Sequence, residues 1–240
     1  MSFRLLVYPI LALTFLTTGF AQAQTSDATK ATFNKLDTYL QSNPLDFETT
    51  FNATADGNEL YRGQGRIIMR QPNALRAETT LQGNTYLVIS DGSVLSIYNE
   101  HQKKYSQTPA QPTLAGAFGF FSSELGIDSQ VLNFIDIVHT VVANGDNTTV
   151  TPAGSEDIGG KACDKFTVTD TSGDETWQVW LEKGDTPLLC KLVYKSVDGP
   201  AQVNTFHWNP APQLTAQTFV FTPPPGSSKV DVGDLTMVAP

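Results

Sequence analysis

Basic side chains are scarce in this chain of 240 residues. It carries 15 lysines and arginines against 24 aspartates and glutamates, so its formal net charge at pH 7 is −9. Proteins that bind nucleic acid need concentrated Lys and Arg to neutralise phosphates. The composition therefore excludes nucleic acid as a partner, and the acidic balance mainly favours solubility.

Motifs for metal binding and catalysis are equally scarce. The three histidines, His101, His139 and His207, stand alone, without the spacing that holds zinc. Neither a nucleophile elbow nor a phosphate-binding loop nor a C-x-x-C pair occurs. Gly63 and Gly65 lack the third glycine of a dinucleotide-binding fingerprint and fall inside a predicted hairpin. We expect no metal, no cofactor and no catalytic residues.

Long apolar runs are absent beyond the first twenty residues. Arg4 precedes an apolar stretch at 5–20, and an Ala-Gln-Ala pattern ends at Ala23. This order is typical of a secretory signal peptide, and the stretch is shorter than the roughly 18 to 20 residues of a membrane span. We predict that residues 1–23 are removed by cleavage after Ala23. Because no cysteine follows the cleavage point, we expect a soluble periplasmic protein without a lipid anchor, with 24–240 as a single domain.

Only two cysteines are present, Cys163 and Cys190. In an exported chain a disulfide between them is the natural expectation. Strands over 162–169, 175–182 and 188–195 would, however, form a meander whose first and third members lie about 9 to 10 Å apart, beyond the roughly 7 Å Cα limit of a bridge. Both outcomes stay open, and a bridge would mean that the meander is bent or that the strand order differs.

The spacing of apolar residues changes along the rest of the chain. It is helical over 27–42 and then alternates, as in half-buried strands. Residues 113–125 and 128–142 again favour helices, and strands resume up to a last one at 219–221. We predict an α+β fold: a large curved antiparallel sheet, an open half-barrel of about eleven strands, with about three helices on its concave side.

The outer faces of the first strands carry charge. Arg62, Arg66 and Arg70 alternate with apolar residues, and cross-strand ion pairs with Glu48 and Glu78 are expected. A solvated outer surface explains this pattern without a binding role.

Apolar residues on the inner faces of the first three strands would meet those of the mid-chain helices. An apolar cavity between sheet and helices is one interpretation, and a filled core is the other. Glycines among the phenylalanines of 113–125 favour a movable lid over such a cavity. The predicted lining residues are Phe47, Phe51, Tyr61, Ile67, Met69, Leu75, Phe118 and Phe121.

Several motifs resemble an uncharacterised family of predicted bacterial periplasmic proteins. They are 159–166 (GGKACDKF), 177–182 (WQVWLE), 187–192 (PLLCKL) and the closing 219–226 (FVFTPPPG). The likeness covers most of the mature chain, and these pieces are also similar to the lipoprotein-sorting proteins LolA and LolB and to the RseB and LppX domains. Cys190 stands where we expect proline or arginine, which makes the second cysteine particular to this chain.

The resemblance implies an open, strongly curved antiparallel sheet capped by helices over an apolar cavity. It also implies that Phe219 and Phe221 lie on the inward face of the last strand. We therefore predict a non-catalytic carrier or chaperone whose ligand is an apolar small molecule or the acyl chain of a lipoprotein. The alternative is a protein-interaction or sensing domain of the RseB type, and a transient membrane-protein partner is considered as well. An enzyme stays open as a third class, because the absence of known motifs is weak evidence.

Overall fold

The computed structural model describes residues 25–125, 134–135, 138–139, 148–170, 175–197 and 199–235. Two short 3-10 turns, Ala216–Phe219 and Val232–Asp234, accompany the regular elements. In chain order these elements are α1 (Asp27–Ser42), β1 (Leu45–Ala55), β2 (Asn58–Arg70), β3 (Ala74–Leu81), β4 (Asn84–Ser90), β5 (Val94–Asn99), β6 (Lys104–Pro109), α2 (Leu114–Leu125), β7 (Thr148–Ile158), β8 (Lys161–Asp170), β9 (Glu175–Glu182), β10 (Leu189–Ser196), β11 (Ala201–Trp208) and β12 (Ser228–Lys229).

The described strands form one open sheet of twelve members. Their order is β12-β6-β5-β4-β3-β2-β1-β11-β10-β9-β8-β7. Every pairing is antiparallel except the short parallel contact between β12 and β6. The contact of β1 with β11 joins an N-terminal meander to a C-terminal one. The predicted α+β class, with a large open sheet that is mostly antiparallel, is confirmed.

The strand and helix counts differ from the prediction of about eleven strands and about three helices. β7 is not visible as an alternating pattern because Val150 is its one buried residue. The strand predicted at 219–221 is wrong, since the chain forms a 3-10 turn at Ala216–Phe219. The second mid-chain helix predicted at 128–142 lies outside the described residues, apart from 134–135 and 138–139. No described helix has the length and hydropathy that crossing a membrane requires.

Helix α1 has the predicted bounds and packs on one face of the sheet. The side chain of Ser26 accepts a hydrogen bond from the backbone N–H of Thr29 at its first turn, which caps the helix. Its apolar stripe of Phe33, Leu36 and Leu40 is buried in the main core together with residues of α2. The sheet face that carries α1 and α2 is called the inner face below, and the opposite one the outer face.

The hairpin of β1 and β2 sets which side chains reach the inner face. Its two-residue turn, Asp56 and Gly57, has positive φ at both positions (52° and 77°), as tight hairpins require. The register places Phe47 opposite Ile67 and Phe51 opposite Gly63. Because side chains alternate along a strand, the odd-numbered residues of β1 from Leu45 to Ala53 share the inner face.

The segment that follows β11, residues 209–235, is called the C-terminal strap. On the outer face, Phe219 packs in a cluster with Ile68 and Ala74, and Phe221 lies 5.5 Å from the ring of Tyr105. The strap then pairs with the edge strand β6 and buries Leu235 in the main core of the inner face. It therefore wraps the edge of the sheet, and the predicted inward orientation of Phe219 and Phe221 is wrong.

Candidate ligand-binding face

One end of the inner face is a packed core. Phe47, Ile67, Met69 and Leu75 are between 1% and 7% exposed. Phe121 of α2 is buried in the same cluster. These five predicted lining residues hold the sheet and the helices together, as the filled-core interpretation describes for this end.

The other end of the inner face, next to the turn between β1 and β2, is more open. Phe51 and Tyr61 are both partly exposed, and their ring centroids lie 6.5 Å apart in an edge-on arrangement. Phe118 belongs to α2, which begins at the opposite end of β2, where the Leu114 N–H donates to the Pro72 carbonyl oxygen at 2.8 Å; it is partly exposed and packs against the main core. The structure therefore divides the eight predicted residues into five that are buried and three that keep accessible ring surface. Further partly exposed side chains on this face are Leu81, Tyr194 and Phe206.

Gly63 makes room for the ring of Phe51. The two residues lie opposite each other in the register of β1 and β2. A Cβ atom at position 63 would overlap the Phe51 ring and come within 2.6 Å of the carbonyl oxygen of Thr80. The close approach of the ring thus requires glycine, and it keeps the phenyl group flat against the sheet.

Three buried polar atoms on the inner face have no hydrogen-bond partner in the described part of the chain. They are Thr49 Oγ1, Trp177 Nε1 and Asn204 Nδ2, and each of these residues is at most 5% exposed. Buried polar atoms are nearly always paired, so an unpaired one needs an explanation. Sequence reasoning missed Thr49 and Asn204. The signal for Thr49 is a polar residue at an inward position between two phenylalanines.

The outer face carries an open groove of about 730 Å³ near the same end of the sheet. Within it, the hydroxyl groups of Thr50 and Thr205 are 2.6 Å apart. Arg62 at its rim is paired with Glu59 at 2.7 Å. Its lining also includes the polar residues Asn52, Gln64, Thr80 and Gln82 and the apolar residues Phe51 and Val203. The groove therefore combines charged, amide and hydroxyl groups with some apolar surface.

Cys163 and Cys190 are joined in a disulfide with a Cα separation of 6.7 Å. They lie on β8 and β10, with β9 between them, as the sequence-based strand order has it. A bulge in β10 between Leu189 and Lys191 breaks the regular spacing that argued against a bridge. The disulfide packs on the outer face against the buried ring of Trp180.

Trp180 is enclosed by charged side chains on the outer face. The Nζ atoms of Lys165 and Lys191 each lie 4.7 Å from its ring centroid. Its indole N–H donates to Glu156 Oε2 at 2.7 Å. The indole N–H of Trp180 is therefore paired, unlike that of Trp177 on the inner face.

Shifted acidic groups lie away from the open end of the inner face. Hydrogen bonds from Arg66, helped by Asn209, hold the pKa of the Asp46 carboxyl below its usual value. Hydrogen bonds from Ser155 and Lys183 lower the pKa of Asp164. Both carboxyls have partners that explain their shifts, as structural ion pairs do. Within the described ranges, no three His, Cys, Asp or Glu side chains come together as metal ligands would.

A family model described as "Predicted periplasmic protein (DUF2092)" matches residues 21–233. The comparison with curated protein sequences finds no match. The family match spans both meanders of the sheet and nearly all of the strap, so it applies to the fold as a whole.

Several solved structures align with this chain at low sequence identity. LprF from Mycobacterium bovis aligns with a TM-score of 0.51 and 12% identity, covering 85% of this chain and 100% of that one. The lipoprotein LppX from Mycobacterium tuberculosis gives a TM-score of 0.46 at 15% identity over 77% of this chain and 97% of that one. MucB from Pseudomonas aeruginosa, in complex with MucA, gives 0.48 at 15% identity over 82% and 62%. At 12% identity, the likeness to LprF describes the fold alone.

Proposed function

Because the chain belongs to the family of predicted periplasmic proteins, we propose that it is a periplasmic binding protein whose inner sheet face holds an apolar ligand without changing it chemically. The ligand would be a lipid or the acyl chain of a lipoprotein. The observation that carries this proposal is the contrast along the inner face. One end is filled by buried side chains such as Phe47, whereas the other presents partly exposed rings such as Phe51.

Burial of hydrocarbon would supply the binding energy. Each methylene group removed from water contributes about 0.8 kcal/mol. The rings of Phe51 and Tyr61 offer a preformed apolar surface, because Gly63 lets the Phe51 ring lie against the sheet. Aromatic rings lose little conformational entropy on contact, since they have few rotatable bonds. The open end of the inner face is therefore suited to an acyl chain.

In this proposal helix α2 is part of the lid that the sequence predicts over the ligand. Leu114, Ala117 and Phe121 are buried and attach the helix to the core, while Phe118 is partly exposed. Gly119 has no neighbouring atom within 4 Å of where a Cβ would lie, so packing does not require glycine there. Glycine inside a helix lowers its stability by roughly 1 kcal/mol relative to alanine. A cover of this kind can be displaced when the ligand enters, as the lid expected from the sequence must be.

A non-catalytic role agrees with the placement of the titratable groups. Asp46 and Asp164, whose pKa values are lowered, are both held by basic partners and hydrogen-bond donors. A general acid or base must lie within hydrogen-bond reach of its substrate, and both carboxyls lie away from the open end of the inner face. These two carboxylates have their hydrogen bonds committed to the protein itself, which supports binding over catalysis.

The exported form in this proposal is one domain over 24–240, released from a leader of residues 1–23 and carrying no lipid anchor. The apolar stretch before Ala23 supports this assignment. The test is the N-terminal sequence of the protein recovered from the periplasm. A mature chain that begins at any residue other than Gln24 contradicts it.

The binding proposal is tested with Phe51→Asp, measured against Leu60→Asp as the control. Phe51 lies on the inner face, whereas Leu60 is an apolar residue of β2 that is 48% exposed. We expect the mature protein to bind a fluorescent fatty acid, Phe51→Asp to lose most of this binding, and Leu60→Asp to keep it. Native mass spectrometry of protein purified from its own periplasm would identify the natural ligand. Failure of the wild type to bind or co-purify with any lipid would overturn the proposal.

The alternative function, a protein-interaction or sensing domain, has less support from the sheet edges. β7 carries Pro152, a bulge before Ser155 and the charged residues Glu156 and Asp157, which all discourage pairing with another strand. The strap covers part of the opposite edge at β6. The outer groove remains the candidate surface for a protein partner. Capture of a defined partner that depends on Gln64 or Thr80 would favour this function.

A further inference from the structure

We propose that the inner face recognises the carbonyl oxygens of an acyl ester or amide through the unpaired donors of Thr49, Asn204 and Trp177. This inference rests on the proposed function and narrows its ligand from any apolar molecule to an acylated one. The shared chemistry is the acyl carbonyl, whether it belongs to a free lipid or to a lipoprotein.

Thr49 and Asn204 form the nearer pair of donors. Thr49 lies directly opposite Phe206, and Asn204 is two residues from Phe206 on the same strand and the same face. Diagonal neighbours of this kind have Cα atoms about 7 to 8 Å apart in an antiparallel pair. The two side chains are therefore close enough to donate to one carbonyl group, or to two on neighbouring chains, once the side chains that now bury both atoms are displaced. The partly exposed ring of Phe51, opposite Asn204, adjoins this pair.

Trp177 is the more distant donor. The register runs from Asn204 to Leu192 on β10 and from Leu192 to Val179 on β9, and Trp177 is two residues from Val179. Strand spacing and rise put Trp177 about 12 Å from Asn204. Its ring packs against Tyr194 with centroids 5.3 Å apart. A single carbonyl group cannot reach both Trp177 and the pair of Thr49 and Asn204. A ligand with two acyl groups therefore fits the arrangement best.

The chemistry of the three groups selects a neutral acceptor. A hydroxyl, a carboxamide NH2 and an indole N–H all donate, and none carries a charge. Buried donors without acceptors destabilise the empty protein, so an acceptor oxygen on the ligand would be favoured. A carboxylate or phosphate would lose its hydration without gaining an opposite charge, which is costly. Ester and amide carbonyls meet the donors without this penalty.

The first experiment compares dipalmitoylglycerol with 1,2-di-O-hexadecylglycerol, which has the same chains but ether links in place of both ester groups. Affinities for the mature protein are measured by displacement of a pyrenyl alkane. We expect the ester to bind roughly tenfold more tightly, the effect of a few neutral hydrogen bonds. Equal affinities would mean that water satisfies the donors, and would overturn the inference while leaving apolar binding intact. If neither compound binds, the proposed function itself fails.

The second experiment assigns the preference to residues. Thr49→Val and Asn204→Leu remove the polar groups and approximately keep the volume, and Thr205→Val is the control because Thr205 points to the outer face. We expect the double variant to lose the preference for the ester while its affinity for the ether is kept. Thr205→Val should behave as the wild type. A preference that survives in the double variant, or that disappears in the control as well, contradicts the assignment. The wild-type comparison stays decisive if the double variant does not fold.

Discussion

The guanidinium of Arg66 donates two hydrogen bonds of 2.9 Å to the carboxylate of Asp46. In the sheet register Arg66 lies opposite Glu48 and Glu78, the partners expected from the sequence, yet it turns diagonally to Asp46. Asn209, the first residue of the strap, also donates to Asp46 at 2.8 Å. Asp46 therefore ties β1, β2 and the start of the strap together on the outer face.

Removal of Arg66 should leave a buried carboxylate with one partner fewer. The Asp46 side chain is 3% exposed and that of Arg66 is 54% exposed. We expect Arg66→Met to lower the free energy of unfolding by about 1 to 2 kcal/mol, since hydrogen bonds to charged groups are strong but solvent screens this one in part. Arg62→Met, at a pair with a 76% exposed arginine, should change it little. Urea unfolding of both variants is the measurement, and equal losses would contradict the assignment.

The stability should depend on pH through Asp46. Its pKa is lower in the folded protein than in the unfolded chain because Arg66 and Asn209 donate to the carboxylate. The contribution of Asp46 to the free energy of unfolding is therefore complete above the pKa of aspartate in the unfolded chain, about 3.9. It is lost as the pH falls through the lower pKa of Asp46 in the folded protein. We expect Asp46→Asn to be less stable than the wild type at neutral pH, and the difference to shrink in the acid range. Unfolding curves of the wild type and the variant, measured at neutral and at acid pH, check this prediction. A difference in stability that does not change with pH would rule it out.

The disulfide should stabilise the C-terminal meander. It closes a sequence separation of 27 residues, for which the loss of chain entropy in the unfolded state predicts about 3 to 4 kcal/mol. We expect the Cys163→Ala and Cys190→Ala double variant to unfold at a correspondingly lower urea concentration, with little change in its far-UV circular dichroism. A reducing agent should lower the stability of the wild type and leave that of the variant unchanged. Insensitivity of the wild type to reduction would argue against the bridge.

The C-terminal strap should stabilise the folded protein through Phe219. Its ring is 2% exposed, and the guanidinium carbon of Arg70 lies 5.0 Å from the ring centroid. We expect Phe219→Ala to lower the free energy of unfolding by about 3 kcal/mol because a buried aromatic side chain is lost. Val220→Ala is the neighbouring control, since Val220 is 45% exposed and exposed positions change stability by about 0.5 kcal/mol or less. Similar losses in the two variants would mean that the strap does not pack as described.

The aromatic part of the candidate site can be predicted from the alternation of side chains alone. Phe51 and Tyr61 are assigned to the inner face by their position in a two-residue period, and the structure places them there. The same reasoning omits Thr49, although its inward position is just as clear, because a lone polar residue on an apolar face has no meaning until its partners are known. Asn204 is found opposite Phe51 only through the contact of β1 with β11.

Local patterns in the sequence determined helix α1, the hairpin turn at Asp56 and Gly57, and the inward face of the first strands. These features depend on backbone geometry and on residues a few positions apart, so the order of residue types is sufficient. The tertiary structure alone decided that Thr50 meets Thr205, that a bulge brings Cys190 within reach of Cys163, and that Phe219 packs on the outer face. Each of these contacts joins segments that are distant along the chain. Their formation depends on which strands become neighbours and where the chain crosses the sheet edge, which local periodicity does not encode.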